Sequence, residues 1–185
     1  GWEGRRAGPG AGGWGGGGGQ LANGGTSYRT RRSNTQLGKL ATREGGVDRV
    51  LIVPETLGTS DHHASLNAYT LSPDGKLISY VIAMGGGELG ELHVMDIATG
   101  KDLPDVTERI WGEGAGSWLP DSKAFFYTQV MPQPAGVDPL TGMIARLHRL
   151  GDPATKDVTI LGREPDATFK LAKEEWPGLW IVPGT

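Results

Sequence analysis

The sequence contains no cysteine, and this absence excludes several classes of functional site. Disulfide frameworks, cysteine-ligated zinc and thiol catalysis all need the missing side chain. No apolar run approaches the roughly 18–20 residues of a membrane-spanning helix, and the N-terminus has no signal-peptide apolar region. We therefore expect no membrane partner and a cytoplasmic location, or a periplasmic one if an export signal has been lost.

The sequence also lacks a methionine at position 1, which favours a fragment or a processed chain. The net charge is −3, yet residues 1–50 carry eight Lys or Arg against three Asp or Glu. A basic region of this kind is compatible with nucleic-acid binding. However, Arg29, Arg31 and Arg32 lie in a stretch that alternates like an exposed strand. We interpret them as a solvated face and expect no nucleic-acid partner.

Large apolar side chains are almost missing from residues 1–25, which include 13 glycines. Such a composition has high backbone entropy and cannot form a core, so it predicts a disordered low-complexity tail over 1–25. The segment from Gly8 to Gly13 matches G-x-G-x-x-G, but no strand precedes it. A phosphate-binding loop is therefore not predicted there.

The most informative stretch is the turn Ser72-Pro73-Asp74-Gly75, which is followed by the apolar run Leu77-Ile78-Ser79-Tyr80-Val81-Ile82-Ala83. The turn residues favour a tight turn, and the run predicts a strand covered on both faces. The pattern recurs at Leu119-Pro120-Asp121-Ser122, which leads into Ala124-Phe125-Phe126-Tyr127. A repeat of roughly 40–50 residues made of short strands is typical of β-propeller blades.

We therefore predict an all-β fold: a partial β-propeller of about three blades, each a four-stranded antiparallel sheet. Residues 26–185 form the propeller, with blades over 26–65, 66–110 and 111–165 and the start of another over 166–185. The predicted strands are 26–32, 37–43, 49–53, 66–71, 76–83, 91–97, 102–109, 114–118, 124–130, 145–150 and 158–161. Residues 131–142, rich in proline and glycine, are predicted as a long loop.

A second G-x-G-x-x-G match runs from Gly85 to Gly90, and here a strand does precede it. The following residues form a strand pattern, whereas a dinucleotide site needs a helix whose N-terminus faces the pyrophosphate. We interpret the glycines as a loose hairpin loop and predict no cofactor.

No catalytic or metal-binding group is predicted from the residues themselves. Ser117 does not fit the G-x-S-x-G nucleophile elbow and is assigned to a strand. The adjacent His62 and His63 point to opposite sides of an extended chain, which disfavours a metal site. His93 and His148 fall on matching strands of the two repeats, and this suggests a packing or surface position. Carboxylate pairs are interpreted as solvated surface groups, among them Asp102 with Asp105.

Several segments together resemble the propeller domain of the prolyl oligopeptidase family, over about residues 26–165. They are 49–57, 66–82, 94–105, 117–127 and 148–158, and they include the Ser-Pro-Asp-Gly turn. The resemblance implies a seven-bladed propeller that caps the active site of an α/β-hydrolase domain in a serine peptidase. Such enzymes cleave short peptides after proline, and the propeller excludes folded proteins.

The hydrolase domain is absent from this sequence, so no residue is carried over as a catalytic one. In the family, a propeller loop that matches residues 110–116 reaches the substrate cavity. The resemblance therefore implies that Trp111 and Glu113 are substrate-proximal, although the family usually has an apolar or aromatic residue near Glu113.

Two functions follow as expectations. The first is the propeller portion of a prolyl-oligopeptidase-like serine endopeptidase, inactive alone, that gates peptide access to a hydrolase domain. The alternative is a non-catalytic blade-repeat module that binds another protein or a second copy of itself through open strand edges.

Overall fold

The computed structural model describes residues 20–23, 26–32, 38–44, 47–111, 114–172, 175–179 and 181. Side chains are described from residue 49 onward, within the same ranges and without Pro139. In these ranges the regular elements are β-strands and three short 3-10 helices, at Pro54–Thr56, Pro139–Gly142 and Ala154–Lys156. The predicted all-β class is confirmed. Among the described residues, no helix is long and apolar enough to cross a membrane.

Four antiparallel strands form the first sheet in sequence order. They are β1 (Gln20–Asn23), β2 (Thr26–Arg32), β3 (Gly38–Glu44) and β4 (Val47–Ile52). The prediction of a tail through residue 25 is wrong for β1, whose backbone pairs with β2 in register. Alternation in the sequence made β2, β3 and β4 visible, whereas the glycines on both sides hid β1. The rest of the predicted tail lies outside the described residues.

The next four strands form an antiparallel meander, which we call the first complete blade. They are β5 (Ala64–Leu71), β6 (Leu77–Met84), β7 (Leu89–Asp96) and β8 (Lys101–Trp111). All six residues of β6 from Ile78 to Ala83 are buried. An apolar run without a polar face therefore does form a strand that is covered on both sides.

The second complete blade is built from β9 (Ser117–Trp118), β10 (Ala124–Val130), β11 (Met143–Arg149) and β12 (Val158–Gly162). A short strand β13 (Phe169–Lys170) runs parallel to β12. β9 is shorter than the predicted strand 114–118 because Ile110 at the end of β8 pairs with Gln129. The end of β8 thus occupies a pairing position on β10 that β9 would otherwise fill. Through this pair the two blades share one nine-stranded sheet.

The glycines between β6 and β7 form a tight hairpin turn. The Gly87 N–H donates to the Met84 carbonyl at 3.0 Å, and Gly85 and Gly86 both have positive φ, +62° and +74°. Two central residues with positive φ define the hairpin turn whose twist matches that of the strands. The predicted hairpin is confirmed, but its connection is a tight turn and not the loose loop that was expected.

Two apolar clusters form the core of the described residues. The first joins the first sheet to the first blade and includes Ile52, Ile78 and Met95. The second lies in the seam between the two blades, where Val81, Leu92, Val94 and Ile110 meet Ala115, Trp118, Phe125 and Tyr127. Neighbouring blades are therefore packed against each other through apolar side chains.

Candidate functional site

Trp111 lies at one end of the blades, together with the irregular connections. It is the last residue of β8, it pairs with Leu89, and its side chain is half-buried. Because the strands are antiparallel, the glycine hairpin at 85–88 and the loop at 131–142 lie at the same end. Both Pro-Asp turns lie at the opposite end. Glu113 is outside the described residues, so the substrate-proximal assignment of the pair stays a prediction.

Ser117 is held by a contact that gives it a structural role. Its hydroxyl accepts a hydrogen bond from the Ile181 backbone N–H at 2.9 Å. Among the hydrogen bonds of the described residues, none joins Ser117 to a histidine, as a Ser–His nucleophile requires. His62 and His63 are exposed, and no group of three acidic or histidine side chains in the described ranges could hold a metal ion.

The seam between the two blades contains a buried polar contact. The Trp118 Nε1–H donates to the Ser79 hydroxyl at 3.0 Å, and Ser79 in turn donates to the Ala115 carbonyl. Ser79 belongs to the first blade, whereas Trp118 and Ala115 belong to the segment that begins the second. An indole N–H buried at an interface normally needs a partner, and here the neighbouring blade supplies it.

A cluster of charged side chains lies at the same seam, and sequence reasoning missed it. His148 on β11 is fully buried between two carboxylates, with its Nδ1 2.9 Å from Asp157 Oδ1 and its Nε2 3.0 Å from Asp105 Oδ1. Asp105 is only 5% exposed, so its interpretation as a solvated surface group is wrong. Asp157 also accepts a hydrogen bond from the Tyr127 hydroxyl at 2.7 Å.

The two nitrogens of an imidazole point away from each other, so Asp105 and Asp157 cannot share a single point with His148. This divergence explains why the three side chains form a hydrogen-bonded chain instead of a metal-ligand set. Asp105 comes from β8 of the first blade, whereas His148 and Asp157 come from the second. The cluster therefore links the two blades.

The strand register shows that His93 and His148 do not occupy matching positions. His93 lies opposite Tyr80, whereas the residue opposite Tyr127 is Arg146. His148 lies opposite Phe125, and the counterpart of Phe125 in the first blade is Ile78, which faces Met95. His148 therefore stands where the preceding blade has a methionine. The two histidines thus lie on matching strands, as predicted, but at different positions along them.

Burial and the two carboxylates have opposite effects on His148. Burial by itself lowers the pKa of the imidazole, but the hydrogen bonds to Asp157 and Asp105 and their negative charges raise it, and the net shift is upward. For Tyr127, burial raises the pKa of the phenol, and the hydrogen bond and charge of Asp157 raise it further. Tyr127 is therefore a neutral hydrogen-bond donor in the cluster.

The comparisons with known proteins agree on one domain type. A family model described as the prolyl oligopeptidase N-terminal β-propeller domain matches residues 20–175, well over half of the chain. The prolyl oligopeptidase ophP of Omphalotus olearius is 25% identical over 142 residues, which are 70% of this chain and 19% of that protein.

Solved structures show the same architecture. A solved prolyl endopeptidase matches with a TM-score of 0.64 at 25% identity, over 76% of this chain and 21% of that one. Prolyl oligopeptidase B from Galerina marginata, bound to a 35mer hydrolysis and macrocyclization substrate, matches with a TM-score of 0.59 at 18% identity, over 74% and 22%. The latter likeness shows the fold alone. The chain spans about a fifth of the length of these relatives.

Proposed function

The chain belongs to the family of prolyl oligopeptidase N-terminal β-propeller domains, and we propose that its blades restrict the access of peptides to a serine-peptidase site on an α/β-hydrolase domain. The family assignment confirms the resemblance to the prolyl oligopeptidase propeller domain. The observation that carries the proposal is the match over residues 20–175, which covers both complete blades described above.

The contacts at the seam support a steric role. The apolar cluster, the Ser79–Trp118 hydrogen bond and the buried His148 cluster all join one blade to the next. Blades held together in this way form a continuous wall, and such a wall excludes a folded protein while an extended peptide passes beside it. The proposal assigns Trp111 to the substrate side of this wall.

The first test is hydrolysis of a fluorogenic peptide that contains proline. We expect the 185-residue chain alone to show no turnover, because among the described residues no hydrogen bond joins the Ser117 hydroxyl to a histidine. Turnover by the purified chain that disappears in a Ser117→Ala variant would contradict the proposal.

The second test is a chimera in which residues 20–175 replace the matching segment of the Omphalotus olearius enzyme. We expect the chimera to cleave a short proline-containing peptide and to spare the same sequence when it lies in a loop of a folded protein. A Trp111→Ala chimera should raise KM for the short peptide more than it lowers kcat. Equal cleavage of the peptide and the folded protein would refute the gating role.

One observation favours the alternative function, a blade-repeat module that binds a protein or a second copy of itself. Two large apolar side chains near the last described strand are exposed, Phe169 by 61% and Trp176 by 64%. Exposed apolar groups beside a strand edge favour association. Sedimentation velocity at several concentrations distinguishes the two functions, since a Phe169→Ser/Trp176→Ser variant should dissociate an assembly formed through this edge.

A further inference from the structure

The three side chains at the seam form a linear bridge from one blade to the next. Asp105 extends from β8, the last strand of the first blade, and Asp157 directly precedes β12 in the second. The ring of His148 lies between them, with one nitrogen on each carboxylate. We propose that these residues form a proton-dependent latch between the blades, closed while both ring nitrogens carry protons and released when one proton is lost.

The hydrogen-bonding capacity of the groups supports this assignment. An ionised carboxylate only accepts hydrogen bonds, so each of the two carboxylates needs a donor from His148. The imidazolium form has two N–H donors, whereas the neutral ring has one donor and one lone pair. In the neutral form a lone pair would face the oxygen of Asp105 or Asp157 inside a buried site, where an unmade hydrogen bond is costly.

Other polar groups around His148 also donate hydrogen bonds to Asp105 and Asp157, but none of those described contacts both carboxylates. Tyr127 on β10 donates to the second oxygen of Asp157, and the Gly151 N–H donates to Asp105 at 2.6 Å. On β11 itself, the Arg146 guanidinium donates to the backbone carbonyl of Asp157 at 3.2 Å. Lys156 of the 3-10 helix near β8 is an exposed cation that pairs with Asp152. Within the described surroundings, His148 is thus the cation in contact with both carboxylates.

The preceding blade shows that the repeat does not require a histidine here. Its Tyr80 donates to Asp102 at 2.9 Å, as Tyr127 does to Asp157. The register counterpart of His148 in that blade, Met95, packs in the apolar cluster with Ile52 of the first sheet. The second blade keeps the Tyr–Asp pair but exchanges the methionine for His148 and adds Asp105 from its neighbour. The seam between the two complete blades therefore combines its apolar cluster with a polar bridge that depends on a proton.

The direction of the pH dependence follows from the upward shift of the His148 pKa. A group with a folded-state pKa above its unfolded value of 6.5 contributes its full stabilisation below pH 6.5. That stabilisation is lost as the pH rises through the folded-state pKa. Each unit of separation between the two values corresponds to about a tenfold lower ratio of folded to unfolded chain at high pH.

Two measurements on the full chain test the latch. Nitrogen-15 NMR of the ring nitrogens should show His148 mostly doubly protonated at about pH 6.5, where an unperturbed histidine is about half protonated. Urea unfolding from about pH 6 to about pH 9 should show a midpoint that falls with pH. A ring that is already neutral at pH 6.5, or a midpoint that does not fall, would overturn the proposal.

Variants separate the latch from general alkaline effects. His148→Met, the residue of the preceding blade, should remove the pH-dependent fall. His148→Met leaves two buried carboxylates without their cation and is at risk of not folding. A second variant, Asp105→Asn, is therefore needed. Its amide oxygen still accepts from His148 and Gly151, but the lost charge should lower the His148 pKa, so the fall should begin at lower pH.

His93→Gln is the matched control, because His93 lies on the corresponding strand of the preceding blade with its side chain 23% exposed. Its pH profile should match that of the parent chain. An Asp105→Asn chain with an unchanged His148 titration would overturn the latch, since the charge of Asp105 would then have no effect on the proton.

Discussion

The hydroxyl of Ser122 accepts a hydrogen bond from the backbone N–H of Asp74 at 3.1 Å. The two residues belong to the Pro-Asp turns of successive blades, so the turn of one blade is fastened to the turn of the next. Ser122 has φ +60°, where the first turn has Gly75 at φ +71°. A left-handed backbone is unfavourable for serine, and its use here is explained by the contact that only a side chain can make.

Replacement of Ser122 should separate the hydrogen bond from the backbone strain. Ser122→Ala removes the hydroxyl but keeps a side chain at positive φ, so we expect it to lower the free energy of unfolding by about 1 kcal/mol. Ser122→Gly also removes the hydroxyl, but glycine relieves a strain of about 1 kcal/mol, so its net change should be close to zero. Urea unfolding at constant pH measures both. Equal stability of the two variants would contradict the strain that we assign to Ser122.

The Tyr–Asp pair that occurs in both blades should contribute unequally. Tyr127 bonds Asp157, which is buried, whereas Tyr80 bonds Asp102, which is exposed. Water can replace the lost donor at Asp102 but not at Asp157. We therefore expect Tyr127→Phe to destabilise the chain by about 2 kcal/mol and Tyr80→Phe by less than about 1 kcal/mol.

The two tyrosine variants control for each other, because each deletes one hydroxyl from the same position of a blade. Thermal unfolding followed by circular dichroism provides the comparison. A larger loss for Tyr80→Phe than for Tyr127→Phe would show that burial of the acceptor does not govern the effect.

The strands of both complete blades could be predicted because their signals are local. Pro73 and Pro120 begin turns, and the apolar run after each needs no distant information to identify it as a strand. The predicted strand 124–130 agrees with β10 at both ends. β1 was missed because four ordinary residues between glycine tracts carry no such signal.

The buried cluster could not be predicted because its members are brought together by register and by packing between blades. Asp105 and His148 are 43 residues apart in sequence. The connection between β10 and β11 is also much longer than the hairpin between β6 and β7, so counting along the chain does not reveal that His148 stands at the position of Met95. The one available signal was the recurrence of an Asp after the third strand of each blade, at Asp102 and Asp157.

The contact between Trp118 and Ser79 should behave as one coupled unit across the seam. Ser79→Ala leaves the buried Trp118 N–H without its acceptor, and we expect a loss of about 1–3 kcal/mol. Trp118→Phe removes the donor but also buried aromatic surface, so its loss should be larger. The double variant Ser79→Ala/Trp118→Phe can lose this hydrogen bond only once. Its loss of unfolding free energy should therefore be smaller than the sum of the losses of the two single variants. Additive losses would argue against the contact.

Gly90 is the position where the packing between β6 and β7 leaves no room for a side chain. A Cβ atom there would lie 2.5 Å from Val81 Cγ1 and 2.7 Å from the Ile82 carbonyl oxygen. Because one of these atoms belongs to the backbone of the neighbouring strand, the sheet itself would have to move. We expect Gly90→Ala to destabilise the chain by roughly 1–3 kcal/mol. Gly114→Ala is the control, since nothing lies within 4 Å of the added methyl group. Urea unfolding should find Gly114→Ala close to the parent chain, and a similar result for Gly90→Ala would show that the two strands can separate to accept a methyl group.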